Sequence, residues 1–179
     1  MTPRTPRRGD GPLDEADWER RVADAWASVD RLPEDEFRTS IERLAAELPA
    51  DSGVGWFERA SALDSTGHPD LAVPLYREAL ALGLSGERRR QAVIQLASSL
   101  RNLDRAEESV ALLRAEVEAA SDHLDDAVRA FLALALVDTG REREAAAIAL
   151  AVLAPHLPRY QRSLASYARL LVDAEPGAT

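Results

Sequence analysis

Apolar residues recur at spacings of three and four along most of the chain, which is the period of an amphipathic helix. An early stripe contains Trp18, Val22 and Val29, and a second one after Pro33 includes Phe37. Proline suits a helix start and cannot continue the preceding helix. The pattern therefore predicts two short helices that form a hairpin near the N-terminus.

From residue 51 onward, the apolar pattern repeats in three blocks, at about 51–83, 86–120 and 122–154. Four positions recur in each block at offsets of 37 and then 36 residues. These positions are Ala60/Ala97/Ala133, Leu63/Leu100/Leu136, Gly67/Asp104/Gly140 and Ala72/Ser109/Ala145. Self-similarity at a fixed period predicts a stack of equivalent helix pairs, because each pair can bury its apolar face only against its neighbours.

The small residues and the turn residues each have a mechanical reason. Alanine or serine is expected where two antiparallel helices cross, because a larger side chain would hold the backbones apart. Gly67 and Gly140 fall between the helices of a pair, where the chain needs a left-handed conformation. Asp104 occupies the same position in the second block, and aspartate adopts that conformation more readily than most residues.

Helix pairs of about 34 residues, with small residues at the crossing and glycine at the turn, resemble the tetratricopeptide repeat. The residues that match the repeat in the first block are Trp56, Ala60, Leu63, Gly67, Ala72, Tyr76 and Ala79. The stretch from about Phe57 to Tyr167 is similar to the short bacterial proteins of the tetratricopeptide-repeat group 5 type. This resemblance implies an all-α fold, a right-handed α-solenoid of antiparallel helix pairs with about nine helices.

The segments outside the three repeats have distinct patterns. Residues 1–12 are rich in Pro, Gly and Arg and predict a disordered arm, and residues 174–179 predict a frayed tail. The hairpin over 13–49 can be interpreted as a degenerate first repeat. An apolar stripe within 157–173 predicts a capping helix, because the last repeat of a solenoid exposes an apolar face that must be covered.

Composition excludes several classes of function. The chain has 179 residues, no Cys and a net charge of -9, and all 22 of its basic residues are Arg. Without Cys and Lys it cannot form disulfides, thiolate or Schiff-base intermediates, or a lysine-dependent phosphate loop. The acidic balance makes nucleic acid and anionic membranes poor partners, so neither is expected to bind. The lack of Cys fits the reducing cytoplasm, which is the expected location.

The chain shows no arrangement of residues typical of catalysis or metal binding. His68, His123 and His156 lack the spacing and the companion ligands of a zinc site, so no metal or cofactor is expected. Adjacent acids such as Asp125 and Asp126 diverge by about 100° on a helix and cannot act on one substrate atom. We therefore expect a protein that is not an enzyme.

Two further features have a structural explanation that we favour over a functional one. The run Arg88, Arg89 and Arg90 fans around a helix, so we expect a solvated face or an ion-pair cluster rather than a nucleic-acid site. Trp18 and Trp26 have helical spacing, which favours core positions over a ligand box.

In a tetratricopeptide solenoid, the first helices of successive repeats line a concave groove, which the resemblance identifies as the binding surface. Well-known relatives clamp a carboxylate there with Lys, so a clamp in this chain would depend on Arg101. The predicted groove residues are Val54, Phe57, Ser61, Asp64, Gln91, Ile94, Ser98, Arg101, Asn102, Ala130, Leu134 and Asp138.

The function predicted from these observations is a non-enzymatic interaction module or scaffold whose groove binds a peptide or helix of another protein. Self-association, for example as a homodimer without a dedicated peptide ligand, is the alternative. An enzyme with an unrecognised site is a remote third interpretation.

Overall fold

The computed structural model describes residues 14–119 and 121–173, and this part of the chain folds into nine α-helices and one short 3₁₀ helix, without strands. The helices are α1 (Glu15–Trp26), α2 (Glu34–Ala45), α3 (Gly53–Ser65), α4 (Pro69–Ala81), α5 (Gly86–Asn102), α6 (Ala106–Val117), α7 (Asp125–Asp138), α8 (Glu142–Leu153) and α9 (Gln161–Asp173), with the 3₁₀ helix Ala154–His156 before α9. The predicted arm, 1–12, and the predicted tail, 174–179, lie outside the described residues.

Each helix packs against the next one along the chain, from α1 to α9. In addition, α3 packs beside α5, and α5 packs beside α7. The helices therefore form antiparallel pairs whose first members stack side by side. This arrangement confirms the predicted all-α repeat solenoid.

The small residues lie where the helices of each pair meet. Ala60, Ala72 and Ala97 are completely buried, and Ser109 is 1% exposed. In the third pair, Ala145 packs in the same buried cluster as Ala97 and Ala133. A bulkier side chain at these positions would have no space, because protein interiors are as densely packed as organic crystals.

The three turns close in the same way. Gly67, Asp104 and Gly140 all adopt the left-handed conformation, with φ values of 78°, 58° and 72°. In each repeat, the N–H of the following residue donates to the carbonyl of the leucine that precedes the turn, at 2.9 Å, in the pairs His68–Leu63, Arg105–Leu100 and Arg141–Leu136. This hydrogen bond satisfies a carbonyl that a helix end would otherwise leave unpaired.

The N-terminal hairpin is anchored by aromatic residues. Trp18 is 1% exposed, and its indole N–H donates to the carbonyl of Leu44 at 2.9 Å, which joins α1 to α2. Trp26 contacts the edge of Phe37 at a centroid distance of 5.1 Å. Trp18 is therefore a core residue, as its spacing predicts, and α2 in turn packs on α3.

Helix α9 covers α8 but leaves part of its own apolar surface open. Ala168 is its one buried residue among those described. Tyr167, Leu170 and Val172 are 65%, 56% and 53% exposed. The helix thus lies where a cap was expected, without the polar outer face that is typical of a terminal repeat.

The crossing of α5 and α6 gives a direct test of the packing constraint. Replacing Ala97 with Leu places extra methyl groups in a filled space, so we expect the free energy of unfolding to fall by about 1–3 kcal/mol. Ala111→Leu on the exposed side of α6 is the matched control, and its effect is expected to stay within about 0.5 kcal/mol. Urea denaturation followed by circular dichroism measures both, and equal effects would contradict the packing argument.

Candidate binding surface on the concave face

The first helices of the pairs form the inner side of the solenoid. The backbones of α3, α5 and α7 approach each other closely, whereas those of the second helices α4, α6 and α8 do not. The second helices are joined instead by ion pairs between long side chains, such as Arg77–Glu108 and Arg114–Glu144. A layer that is closer together lies on the inside of a curved stack. The inner surfaces of α3, α5 and α7 are therefore the concave face.

Three of the predicted groove residues are packed into the protein. Phe57, Ser61 and Ile94 are 5%, 2% and 7% exposed. Phe57 and Ile94 belong to two separate hydrophobic clusters of the core. Their side chains stabilise the stack, and they offer little surface to a ligand.

A hydrogen-bonded network of polar side chains joins α3, α4 and α5. Gln95 Oε1 accepts hydrogen bonds from Ser61 Oγ and from the Tyr76 hydroxyl, both at 3.0 Å. Asp64 accepts from Ser99 Oγ at 2.8 Å and from Tyr76 at 3.4 Å. Burial raises the pKa of Asp64, because desolvation penalises its charged form. The network fixes the relative position of the first two repeats.

Arg101 spans the face from α5 to α7. Its guanidinium forms an ion pair with Asp138, which was predicted as a separate groove residue. Arg101 therefore already has a carboxylate within this molecule, and a ligand carboxylate would have to compete with it. Ser98 is half-buried and Asn102 is exposed beside this pair.

On α7 the concave face is apolar and open. Ala130 is exposed, and Leu134 and Val137 are 45% and 47% exposed. The three residues follow each other at spacings of four and three, so they form one stripe along the helix. We call this set the α7 stripe.

The chemistry of the concave face changes along the solenoid. Residues at equivalent positions can be compared through the offsets of 37 and 36 residues. One such position is occupied by Glu58, Gln95 and Phe131, and its neighbour by Ser61, Ser98 and Leu134. The face is thus polar at the first two repeats and apolar at the third.

A cleft of about 670 Å³ opens between α1, α3 and α5 at the polar end. Val54 and Gln91, two of the predicted groove residues, line it, and both are half-buried. The sequence interpretation missed Glu19, Trp26 and Glu58, which also line this cleft. We call it the α1 cleft.

A buried carboxylate organises the wall of the α1 cleft. Glu58 is 3% exposed and accepts hydrogen bonds from Trp26 Nε1 at 2.8 Å and from Arg88 Nε at 3.1 Å. The terminal nitrogens of Arg88 donate to both oxygens of Glu19, at 2.7 and 2.6 Å. Glu58 and Arg88 thereby hold α1 against α3 and α5. No sequence spacing indicates these contacts, because the partners lie 30 to 69 residues apart.

The arginine run is an ion-pair cluster. Arg89 pairs with Glu116 at 2.7 Å, and Arg90 pairs with Asp125 at 2.7 Å. Arg90 is 4% exposed. The three arginines therefore join neighbouring helices, which agrees with the structural interpretation of the run.

The environment shifts the pKa values of the two carboxylates in opposite directions. Burial raises the pKa of Glu58, although the hydrogen bonds from Trp26 and Arg88 work against this effect. The hydrogen bond from Arg88 lowers the pKa of Glu19. Glu58 is thus a carboxylate that folding makes harder to ionise.

Comparison with known proteins agrees with the stack of helix pairs described above. A family model described as a tetratricopeptide repeat matches residues 53–171, which is more than half of the chain. The chain belongs to the tetratricopeptide-repeat family. The matched residues cover α3 to α8 and most of α9. No curated protein matches the sequence.

A solved structure extends the agreement beyond the matched repeats. The crystal structure of nearly identical tetratricopeptide-like repeats of a kinesin light chain from Podospora anserina is similar, with a TM-score of 0.66. The similarity covers 91% of this chain and 90% of the other, at 17% sequence identity. At that identity the similarity shows that the two chains share a fold.

The described part of this tetratricopeptide-repeat chain has no helix that could span a membrane and no cluster of three metal-ligating side chains. Over residues 14–119 and 121–173, no helix is long and apolar enough to cross a membrane. Within the same ranges, His, Asp and Glu side chains form no group of three that could hold a metal ion.

The α1 cleft predicts a characteristic dependence of stability on pH. Because folding raises the pKa of Glu58, the folded state binds its proton more strongly, and stability falls as the pH rises through the interval between the unfolded and folded values. Glu19 acts in the opposite sense, since its lowered pKa gives stability that is lost as the pH falls. The stability of Glu58→Gln relative to wild type should therefore increase as the pH rises from about 4 to 7.

Glu19→Gln is the matched control, and its stability relative to wild type should decrease over the same interval. Urea denaturation at a series of pH values measures both variants. Slopes of the same sign for the two variants would show that burial does not dominate at Glu58.

Proposed function

We propose that this protein is a non-enzymatic interaction module whose concave face binds an extended or helical segment of a partner protein. The family and fold support this proposal, because tetratricopeptide repeats generally mediate contacts between proteins. The cytoplasm is the location that we propose, in keeping with a chain without Cys.

The observation that carries the proposal is the exposed α7 stripe. Leu134 and Val137 present nearly half of their surfaces to solvent on the inner side of the solenoid. Isolated exposed leucines are common, but an apolar stripe on a concave face provides a site where a partner's apolar side chains lose contact with water. The aligned polar positions of α3 and α5 continue the same surface toward the α1 cleft.

The charges of the α1 cleft indicate which charge the other end of the partner segment should carry. Glu19, Glu58 and Glu87 line the cleft together with a single arginine, Arg88. This excess of carboxylates favours a partner with a basic or neutral polar end and disfavours an acidic one. The best partner is therefore a segment with apolar side chains at one end and a basic residue at the other.

Self-association is the second candidate, and a specific observation favours it. Apolar residues are exposed on α9 as well as on the α7 stripe, at Tyr167 and Leu170. Light scattering over a concentration series distinguishes the two functions. A dimer that becomes a monomer on Leu134→Asp would support self-association, whereas a wild-type monomer would exclude it.

Selection from a library of displayed random peptides tests the partner-binding function. Wild-type protein should enrich peptides with an apolar cluster and a basic residue, and the double variant Leu134→Asp/Val137→Asp should bind them at least about tenfold more weakly. A tenfold loss corresponds to about 1.4 kcal/mol, a modest value for removing a central apolar contact.

Leu71→Asp is the matched control, because Leu71 is 52% exposed on α4, a second helix of a pair. It should bind the selected peptides like wild type. Failure of the wild type to enrich peptides, or equal loss in Leu71→Asp and the double variant, would overturn the proposal.

A further inference from the structure

Helix α9 is in register with the first helices of the repeats. It begins at Gln161, 36 residues after the start of α7 at Asp125, and the same offset separates the second and third repeats. The inward residues agree as well, since Leu164, Ala168 and Leu171 on α9 are equivalent to the buried residues Val128, Leu132 and Ala135 on α7. By sequence register, α9 is therefore equivalent to the first helix of a fourth pair, although in the structure it packs against α8 and the 3₁₀ helix and not beside α7.

The second helix of that fourth pair is missing from the described residues. In the complete pairs, α6 and α8 each pack against their own first helix and follow the preceding second helix in the stack. At the C-terminal end, the corresponding space between α8 and α9 is an open groove of about 830 Å³. Its floor is apolar and includes Ala147, Ile148 and Ala151 on α8 with Ala168 and Val172 on α9.

An arginine stands at the crossing position of α9. The offset of 36 residues places Arg169 where Ala133 lies on α7, and Arg169 is exposed at the groove. Arg143 lines the groove as well, and its Nε donates to the carbonyl of Leu171. Within residues 14–119 and 121–173, no carboxylate forms an ion pair with either of these two arginines. Arg141 and Glu144 also line the groove, and they form ion pairs with Glu107 and Arg114. The groove therefore has an apolar floor and a rim with more arginine than carboxylate, in a chain whose net charge is -9.

We propose that this groove, which we call the α8–α9 groove, binds an acidic amphipathic helix of another protein. The apolar stripe of the bound helix would lie on Ile148 and Val172, and its carboxylates would pair with Arg143 and Arg169. Desolvated pairs between arginine and carboxylate provide orientation as well as affinity. This surface is separate from the concave face.

The charges argue against two occupants that this chain could itself supply. Pairing α9 with α9 of a second copy would place Arg169 near Arg169 at the crossing, and like charges there repel. The N-terminal residues 1–13 carry three arginines and one aspartate, so they have the wrong charge for a basic rim. A helix with carboxylates beside its apolar stripe has the chemistry that matches the groove.

The chain contains a suitable probe in the sequence of α6. A synthetic peptide of residues 105–118 has four glutamates and two arginines, with Val110, Leu113 and Val117 as apolar residues. In the intact protein, α6 packs against the first helix of its own pair, as the proposed ligand would pack against α9. A hydrocarbon staple on its exposed face keeps the isolated peptide helical, because helices this short are marginal in water.

Fluorescence polarisation of the labelled peptide with the full-length protein tests the proposal. Wild type should bind saturably, and Val172→Asp should weaken binding at least about tenfold. Leu170→Asp is the matched control, because Leu170 is 56% exposed on the same helix and does not line the groove. It should leave binding unchanged.

A charge exchange tests the basic rim separately. Arg169→Glu should weaken binding of the acidic peptide and strengthen binding of a second peptide in which Glu107 and Glu108 are replaced by arginine. Absence of saturable binding to wild type, equal loss in Val172→Asp and Leu170→Asp, or no preference change in Arg169→Glu would each overturn the proposal.

Discussion

The close approach of two antiparallel helices at a small residue is the constraint on which the rest of this structure depends. At Ala60 and Ala72 in the first pair, and at Ala97 and Ser109 in the second, the buried side chains extend little beyond a methyl group. The leucines before the turns can then be buried between the helices. In all three turns, the carbonyl of this leucine accepts an equivalent backbone hydrogen bond. Because the same crossing occurs three times, the pairs stack with equivalent positions aligned.

That alignment creates the concave face, and the chemistry of the face changes from its N-terminal to its C-terminal end. Each inward position appears once per repeat, so its chemistry can be read along the stack, from Glu58 through Gln95 to Phe131. Polar contacts hold the stack together at the first two repeats, and the ion pair between Arg101 and Asp138 joins the third. The exposed apolar residues of α7 make no such contacts within the molecule, which is why we propose them as the surface for a partner.

The periodic features were predictable from the sequence, and the features that depend on distance in space were not. Repeated alanines and glycines specify the crossings and turns locally, so the fold class followed from them. Helical spacing indicates which face Phe57 and Ile94 occupy, but it does not tell how far neighbouring helices cover that face. The contacts of Glu58 with Trp26 and Arg88 join residues 32 and 30 positions apart, and no local pattern encodes them. Likewise, the stripe on α9 indicated a buried side without showing that, within residues 14–119 and 121–173, no helix covers its opposite side.

The central claim is that each helix is stabilised by pairing with another helix at a small-residue crossing. Native-state hydrogen exchange, resolved along the chain by mass spectrometry, tests this claim most directly. Helix α7 has a small residue, Ala133, and a paired helix, whereas α9 has Arg169 at that position and no paired helix among the described residues. We therefore expect the amides of α7 to exchange much more slowly than those of α9, because α9 opens without disrupting a complete pair. Equal protection of α7 and α9 would contradict this account, since stability would then not depend on the crossing.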